Sequence, residues 1–177
     1  METIRLRDIK HPYFARAWAL YEEAFPLEER RLINSQAAIM NHPNYHYELI
    51  LQDDCFLGIL FWWGFDDLRY VEHFATLPAH RGKGYGKEIL ELFIKRDSRL
   101  IVLEVELPEN EIEQRRIQFY ERIGFYLTDH YYEQPVYNEG GKPVQLLLMS
   151  YPFGISNEEL ARFIKDYQPI IYGAKSD

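Results

Sequence analysis

The sequence predicts a single α/β domain, residues 1–177, in which β-strands and amphipathic helices follow one another along the chain. Three observations carry that prediction. Runs of β-branched and aromatic residues bounded by turn signals recur as strands. Between them, apolar residues return every three or four positions, as on one face of a helix. A chain of 177 residues with 47% apolar and 27% charged residues is typical of one globular domain.

The first half of the chain contains a strand, two helices and a β-hairpin. The predicted elements are a strand at residues 3–9, a helix at 14–25, a short helix at 35–40, and strands at 45–52 and 55–65. Pro26 ends the first helix, because proline cannot continue a helical hydrogen-bond ladder. Asp53 and Asp54 lie between the last two strands and indicate the turn of a hairpin.

The second half alternates strands and helices. The predicted elements are strands at residues 68–77 and 100–107, helices at 87–96 and 110–123, strands at 125–132 and 144–151, and a terminal helix that ends near residue 167. Asn110 with Glu113, and Ser156 with Glu159, have the spacing of capping boxes, which open helices. Gly124 suits the position just after a helix, where a left-handed residue is favoured.

Composition and charge exclude several classes of protein. The formal net charge of −8 argues against nucleic-acid binding, which requires basic patches. No stretch reaches the roughly 20 apolar residues of a membrane span, and residues 1–7 lack the apolar region of a signal peptide. Cys55 is the only cysteine, so no internal disulfide is expected and a cytoplasmic location is predicted. The six histidines are scattered without ligand spacing, so no metal is expected.

The most informative stretch is the glycine-rich segment at residues 80–87, His-Arg-Gly-Lys-Gly-Tyr-Gly-Lys. It lies where a predicted strand turns into a predicted helix, and its alternating glycines leave the backbone bare. Exposed N–H groups at a helix N-terminus bind anions, and the helix dipole adds to the attraction. Arg81 and Lys83 bring fixed positive charge to the same place. The segment therefore predicts a cradle for a phosphate or a pyrophosphate.

The spacing of the glycines restricts which type of phosphate-binding loop this segment can form. A P-loop requires four residues between its first glycine and Gly-Lys-Ser/Thr. Here three residues separate Gly82 from Gly86, and Glu88 stands where the hydroxyl would be. A Rossmann fingerprint requires Gly-x-Gly-x-x-Gly. The sixth position is Lys87 when counted from Gly82 and Ile89 when counted from Gly84, and neither is glycine. The segment therefore matches neither a P-loop nor a Rossmann fingerprint.

The pattern that remains, Arg81-x-x-Gly84-x-Gly86, resembles the acyl-CoA pyrophosphate loop of the GNAT N-acetyltransferases. A second segment, Phe-Tyr-Glu-Arg-Ile-Gly-Phe at residues 119–125, resembles the family's other hallmark, a helix ending in Tyr-Glu-x-x-Gly-Phe before a strand. One predicted strand and one predicted helix lie between the two segments, as in that family. The resemblance extends from about residue 3 to residue 151.

This resemblance implies a fold and a partner. The fold would be a mixed, mainly antiparallel sheet of about six or seven strands flanked by helices, with the core at residues 3–151. A helical extension at residues 152–177 would lie beyond that core. Acetyl-CoA would enter between two diverging central strands, without any metal. Dimers are frequent in the family, so a homodimer is also an expectation.

The resemblance also assigns the cofactor-binding residues. The pyrophosphate loop corresponds to Arg81, Gly82, Lys83, Gly84, Tyr85 and Gly86. The backbone that would bind acetyl-pantetheine and stabilise the oxyanion corresponds to Phe74, Ala75 and Thr76. One departure is clear: the family often has Asn seven residues before its hallmark tyrosine and Ala four before, whereas Glu113 and Arg116 stand there. That asparagine's role is therefore not carried over.

Acetyl transfer to an amine requires a base for the amine and an acid for the leaving thiol. The hallmark tyrosine of the family protonates the departing CoA thiolate, and Tyr120 corresponds to it. The family often draws its base from the strand that carries Glu72, and Glu72 is selected for that reason. The other candidates are His73, Glu104 and Glu106, with Glu106 in reserve. Regular strand alternation would place Glu72 and His73 on opposite faces of the sheet.

The resulting prediction is an acyl-CoA-dependent N-acetyltransferase that moves acetyl directly to a primary amine, with no covalent enzyme intermediate. The acidic chain and its aromatic-rich segments favour a small-molecule amine. A protein N-terminal or lysine acetyltransferase, and a CoA-binding module without turnover, are the alternatives. Glu28 and Glu29 could face the amine, although such a charge run is more often a solvated face.

Overall fold

The structure, a computed structural model, describes residues 1–173. The strands in this range are β1 (Glu2–Leu6), β2 (Tyr45–Gln52), β3 (Cys55–Gly64), β4 (Leu68–Thr76), β5 (Leu100–Val105), β6 (Tyr126–Leu127), β7 (Tyr132–Gln134) and β8 (Val144–Tyr151). The helices are α1 (Phe14–Ala24), α2 (Ile33–Ile39), α3 (Tyr85–Ile94), α4 (Glu111–Glu121), α5 (Asn157–Arg162) and α6 (Gln168–Tyr172). Short 3-10 turns span Leu27–Glu29 and Pro78–His80, and a π-helical turn, Phe163–Tyr167, joins α5 to α6.

The strands form one sheet in the order β1-β2-β3-β4-β5-β8-β6, and β7 also pairs with β8. Only β4 and β5 pair in parallel; the other pairings within the described range are antiparallel. This confirms the predicted mixed, mainly antiparallel sheet flanked by helices. The predicted strand at 125–132 forms two short strands instead of one. The first of them ends at Leu127, after which Thr128 bonds to the Leu148 carbonyl through both its N–H and its hydroxyl.

Helices cover both faces of the sheet, and each face has its own apolar core. One core is built from α1, α2 and the C-terminal helices, with Tyr21, Ile39 and Phe163 buried against the sheet. The other is built from α3 and α4, with Phe93 and Ile117 buried against the opposite face. The C-terminal helices are therefore part of the first core, which also forms one side of the candidate site.

The predicted helix boundaries follow from local capping. Asn110 accepts the N–H groups of Ile112 and Glu113, and the Glu113 carboxylate returns to the Asn110 N–H at 3.0 Å, which completes a capping box. Ser156 and Glu159 form the second predicted box. The terminal helical segment was expected to end near residue 167, but it continues through the π turn to Tyr172, which is buried.

Candidate functional site

The central feature of the site is a gap between two neighbouring strands. β4 and β5 pair from Leu68 opposite Leu100 to Val71 opposite Leu103. Beyond Val71, β4 continues to Thr76 without pairing with β5, while its other edge stays paired with β3. The two strands therefore diverge, and one edge of β4 is left open for a ligand.

Hydrogen-bond alternation shows which peptide groups face this gap. The Leu77 N–H donates to the Leu57 carbonyl at 2.9 Å, so the peptide groups of Leu77 face β3. Because these directions alternate along a strand, the peptide groups of Ala75 face β3 as well. Those of Phe74 and Thr76 face the gap. Of the three residues expected to bind pantetheine through the backbone, two are thus directed toward the open edge.

The glycine-rich segment forms a bare turn at the start of α3. Gly82 and Gly84 have φ values of +73° and +87°, in the left-handed region that favours glycine, and a Cβ on either would meet no atom within 4 Å. Gly84 is the residue before α3, and no side chain caps this helix end. Arg81 lies beside the open edge, with its Nε 3.4 Å from the Thr76 carbonyl, and Lys83 is exposed. Open space, free N–H groups and two cations fit a pyrophosphate.

Packing at Gly86 brings the separate parts of the site together. A Cβ on Gly86 would lie 3.4 Å from Cζ of Phe119 and 3.8 Å from Cζ of Phe74. The first turn of α3 is therefore in contact with both the open part of β4 and the end of α4. Tyr120 follows on α4, its ring centroid 5.2 Å from that of Phe119. The structure thus brings together the loop, the open strand edge and the end of α4 that carries Tyr120.

Tyr120 is fixed by the way α4 ends. The Phe125 N–H donates to the Tyr120 carbonyl at 3.1 Å, and the Gly124 N–H donates to the Glu121 carbonyl at 2.9 Å, with Gly124 at φ +105°. The tyrosine is 7% exposed, and its ring packs against Phe119 and Phe125. Burial raises the pKa of Tyr120 to about 12. The phenol therefore stays protonated at neutral pH, as a general acid must.

A β-bulge on β4 overturns one prediction. His73 pairs with Phe61 and Val71 pairs with Trp62, so Glu72 is an extra residue opposite two consecutive partners. Such a bulge breaks strand alternation. Both Glu72 and His73 consequently point to the same face, where Nδ1 of His73 lies 3.8 Å from Oε2 of Glu72. The expectation that they would lie on opposite faces was wrong.

Glu72, the predicted base, is held in a buried polar network. Its carboxylate forms an ion pair with Arg31, with 2.6 Å between Oε1 and Nη1, and both side chains are almost fully buried. Trp63 Nε1 donates to it at 3.2 Å and the Tyr137 hydroxyl at 3.0 Å. These contacts favour a structural role for Glu72, and its role as the base stays a prediction.

We expect Glu72→Gln to lower the free energy of unfolding by about 3–5 kcal/mol, because Arg31 would keep a buried charge without its partner. Urea denaturation would measure this change. Glu111→Gln is the control, because the Glu111–Arg115 pair is exposed and should be nearly neutral. At a temperature where the variant stays folded, kcat should be retained; a large loss of kcat with normal stability would instead restore Glu72 as the base.

A small pocket of about 50 Å³ opens where β4 and β5 diverge. Its polar walls come from Glu29, Glu72, His73, Glu104, Glu106, Arg116 and Gln134. Glu106 is paired with Arg116 on α4. Glu104 accepts hydrogen bonds from the Tyr132 hydroxyl, from Gln134 Nε2 and from the Tyr172 hydroxyl. All three other candidate bases, His73, Glu104 and Glu106, thus line one pocket.

Glu29 becomes a functional candidate in the structure. From the sequence, it was more readily explained as part of a solvated charged surface than as a residue that faces the amine. It lies in the 3-10 turn after α1, and the turn is held by His73, whose Nε2 lies 2.8 Å from the Glu29 carbonyl. Burial, and then the nearby charge of Glu106, raise the pKa of Glu29 to about 7. Within residues 1–173, its carboxylate makes no hydrogen bond or ion pair. It is therefore free to meet an acceptor amine.

His73 is unsuited to the role of base. Burial is the largest influence on it and lowers its pKa to about 4, although Glu72 acts in the opposite direction. The imidazole is therefore neutral, and it donates through Nε2 to the Glu29 carbonyl, which can only accept. It positions the turn that carries Glu29.

Comparison with known proteins agrees with this geometry. The chain is similar along its length to a GNAT-family protein of known structure from Bacteroides thetaiotaomicron, with 35% identity, 99% of this chain and 100% of the other covered, and a TM-score of 0.91. A family model for the acetyltransferase (GNAT) domain matches residues 43–127. Among curated protein sequences, none matches the chain.

More distant structures share the fold. The ribosomal-protein-S18-alanine N-acetyltransferase of Escherichia coli has 19% identity and a TM-score of 0.59, over 89% of this chain and 96% of its own. An aminoglycoside 6'-N-acetyltransferase, solved in complex with coenzyme A, has 13% identity and a TM-score of 0.63, over 89% of this chain and 100% of its own.

The fold and the site define an acyl-CoA-dependent N-acetyltransferase, with acetyl-CoA as the cosubstrate. The chain belongs to the GNAT acetyltransferase family. Among residues 1–173, no group of three or more His, Cys, Asp or Glu side chains is arranged to hold a metal ion. In the same range, no helix is long and apolar enough to cross a membrane.

Proposed function

We propose that the chain transfers acetyl from acetyl-CoA directly to the primary amine of a small molecule. The observation that carries this proposal is the pocket walled by carboxylates, which opens at the gap between β4 and β5. Carboxylates attract an amine in its protonated form, and an unpaired carboxylate can then take its proton. We place the reaction in the cytoplasm, because Cys55, the single cysteine, is an exposed free thiol.

Contacts across the pocket favour a small molecule over a polypeptide. The Asn138 side chain donates to the carbonyls of Leu27 and Arg30, at 3.1 Å and 3.0 Å, and so joins the turn after α1 to the segment before β8. On the inner side, the Tyr172 hydroxyl reaches Glu104 at 3.2 Å. A protein substrate would need an open groove, whereas these hydrogen bonds join the walls of the pocket to each other.

The chain's own residues supply binding and orientation. Acetyl-CoA, when bound, brings the acetyl group as a thioester. Arg81, Lys83 and the first N–H groups of α3 would hold its pyrophosphate. Phe74 and Thr76 direct their peptide groups into the gap, where an N–H can stabilise charge on a carbonyl oxygen.

Proton movement is assigned to two side chains. Glu29 takes one proton from the ammonium of the acceptor, a new N–C bond forms as the C–S bond breaks, and Tyr120 gives its proton to the sulfur. The nitrogen then gives its second proton to solvent, Glu29 releases the first, and Tyr120 recovers its own from solvent, so the products are the amide, the free thiol and one proton. The desolvation that raises the phenol pKa also raises that of a thiol beside it, which keeps the two pKa values close enough for transfer.

This assignment predicts a pH profile. Glu29 must be ionised to act, so kcat/KM should fall about tenfold per pH unit below about pH 7 and lose this dependence above it. Glu29→Gln should remove that inflection and lower kcat/KM about 100- to 10,000-fold. The change in kcat/KM near pH 10, which comes from ionisation of the acceptor amine itself, should remain in both proteins.

Glu28→Gln is the matched control for that experiment. Glu28 is on the same 3-10 turn but is exposed and does not line the pocket. Its variant should keep the wild-type profile. A profile in which Glu29→Gln retains the inflection near pH 7 would assign the base to another group.

The proposed function is tested by free-thiol release from acetyl-CoA across polyamines, amino acids, aminoglycosides, arylamines and short peptides. Release with a small amine would support the proposal, and release with peptides alone would favour protein acetylation. If no acceptor gives release while CoA raises the melting temperature, a binding module without turnover becomes the better reading. The predicted homodimer is checked by light scattering on the same preparation.

A further inference from the structure

The acceptor pocket has more carboxyl groups on its walls than arginines that pair with them. Two of the four carboxylates on its walls have arginine partners: Glu72 with Arg31, and Glu106 with Arg116. The other two, Glu29 and Glu104, form no ion pair within the described residues 1–173, although the charge of Arg116 also acts on Glu29. The donors around Glu104 are tyrosine hydroxyls and an amide, all of them neutral, and burial raises the pKa of this carboxyl.

Two buried side-chain atoms on the walls also lack a partner, and both are acceptors. Gln134, which is 4% exposed, uses its Nε2 to donate to Glu104 at 2.5 Å, so the unpartnered atom is the carbonyl oxygen Oε1. His73, which is 3% exposed, donates through Nε2 to the Glu29 carbonyl, which leaves Nδ1 unpartnered. Unused acceptors beside unpaired carboxylates are complementary to a ligand with several N–H donors.

We propose that the acceptor is a diamine or a longer polyamine, of which one amine reacts while a second, still protonated amine binds Glu104 and Gln134. This rests on the proposed function and names the substrate class for the same pocket. The reacting amine must give its proton to Glu29 before it attacks, which neutralises Glu29, so a monoamine would leave Glu104 without any cation. A second ammonium supplies that charge and three donors for the unused acceptors.

The spacing of the carboxylates sets the length of such a molecule. Glu104 and Glu106 lie two residues apart on one face at the end of β5, which corresponds to about 7 Å along a strand. The charges of Arg116 and Glu106 act on Tyr120, and the charge of Glu106 acts on Glu29, so the reacting end lies near Glu106. The second amine then lies about 7 Å further along β5, beside Glu104. An extended four-carbon diamine spans roughly 6 Å between its nitrogens, and a five-carbon diamine slightly more.

The decisive experiment compares matched acceptors at saturating acetyl-CoA. 1,4-Diaminobutane is set against butylamine, and 1,5-diaminopentane against pentylamine, with thiol release and product mass as readouts. We expect kcat/KM to be about 100-fold higher for each diamine than for its monoamine. The reaction should also stop at one acetyl group per diamine, because the monoacetylated product keeps only one ammonium.

Substitutions in the pocket test where the second ammonium group binds. Glu104→Gln should reduce the preference for diamines over monoamines to within about threefold, and Glu28→Gln should leave both rates unchanged. If Glu104→Gln lowers the melting temperature too far to assay, Gln134→Leu provides the same comparison. Equal rates for the diamine and the monoamine in wild type, or a preference that survives both pocket variants, would overturn the inference.

The outcomes separate this inference from the proposed function. Turnover of monoamines and diamines at equal rates leaves small-molecule acetylation standing and removes only the second ammonium site. Thiol release with neither class overturns this inference, and the proposed function is removed with it only if the wider panel of acceptors is also silent while CoA raises the melting temperature.

Discussion

Tyr120→Phe is expected to lower kcat about 100- to 10,000-fold while leaving the affinity for CoA unchanged. The substitution removes only the hydroxyl, and the ring keeps its contacts with Phe119 and Phe125. Without a proton donor at that point, the sulfur must leave as a thiolate in a buried site, where its charge is poorly solvated. Single-turnover thiol release would give the rate, and titration with CoA would give the affinity.

Tyr131→Phe is the control for that substitution, because Tyr131 is 67% exposed and lies outside the pocket. It should behave as wild type in both measurements. Unchanged turnover in Tyr120→Phe would remove Tyr120 from the mechanism. A fall in CoA affinity equal to the fall in kcat would show that the hydroxyl contributes to binding instead of to proton transfer.

The second large effect is expected at the pyrophosphate loop, where Gly84→Val should weaken CoA binding by at least about 100-fold. A β-branched residue at φ +87° costs about 1–2 kcal/mol, which moves the backbone away from its bare turn. Its side chain would also fill the open space in front of the free N–H groups of α3. The stabilisation of the melting temperature by CoA should disappear.

Gly140→Val is the control that separates the effect of backbone strain from the effect of blocking the N–H groups of α3. Gly140 also has a positive φ, +77°, and no atom within 4 Å of an added Cβ, but it belongs to the turn before β8 and does not line the pocket. This variant should lose similar stability and keep its affinity for CoA. Retained CoA binding in Gly84→Val would mean that the pyrophosphate lies elsewhere.

Features set by neighbouring residues could be predicted from the sequence. The capping box at Asn110, the left-handed residue at Gly124 and the glycine turn before α3 depend on a few adjacent positions, and the structure has all three. The strand ends and the mixed sheet followed from hydrophobic periodicity together with the family resemblance. Local chemistry therefore predicted the backbone features of the segments to which we assign acyl-CoA binding.

Features set by pairing with distant residues could not be predicted. The bulge at Glu72 arises from its register against β3, and no residue type near it signals a bulge. The free carboxylate of Glu29 looked like part of a solvated run, because only the folded chain brings it beside Glu106 and Gln134. Arg31 likewise gave no sign that it would be buried against Glu72. Such long-range contacts determine most of the acceptor half.

The division of the site between two parts of the chain has a consequence for how specificity can change. The cofactor loop, the open strand edge and Tyr120 all lie within residues 43–127, the region matched by the family model. Glu29, Gln134 and Tyr172, which donates to Glu104, lie outside that region, whereas Glu104 and Glu106 lie within it. The segments before β2 and after β6 can thus change the walls around Glu104 and Glu106, while the parts of the chain to which we assign the acyl donor are left untouched.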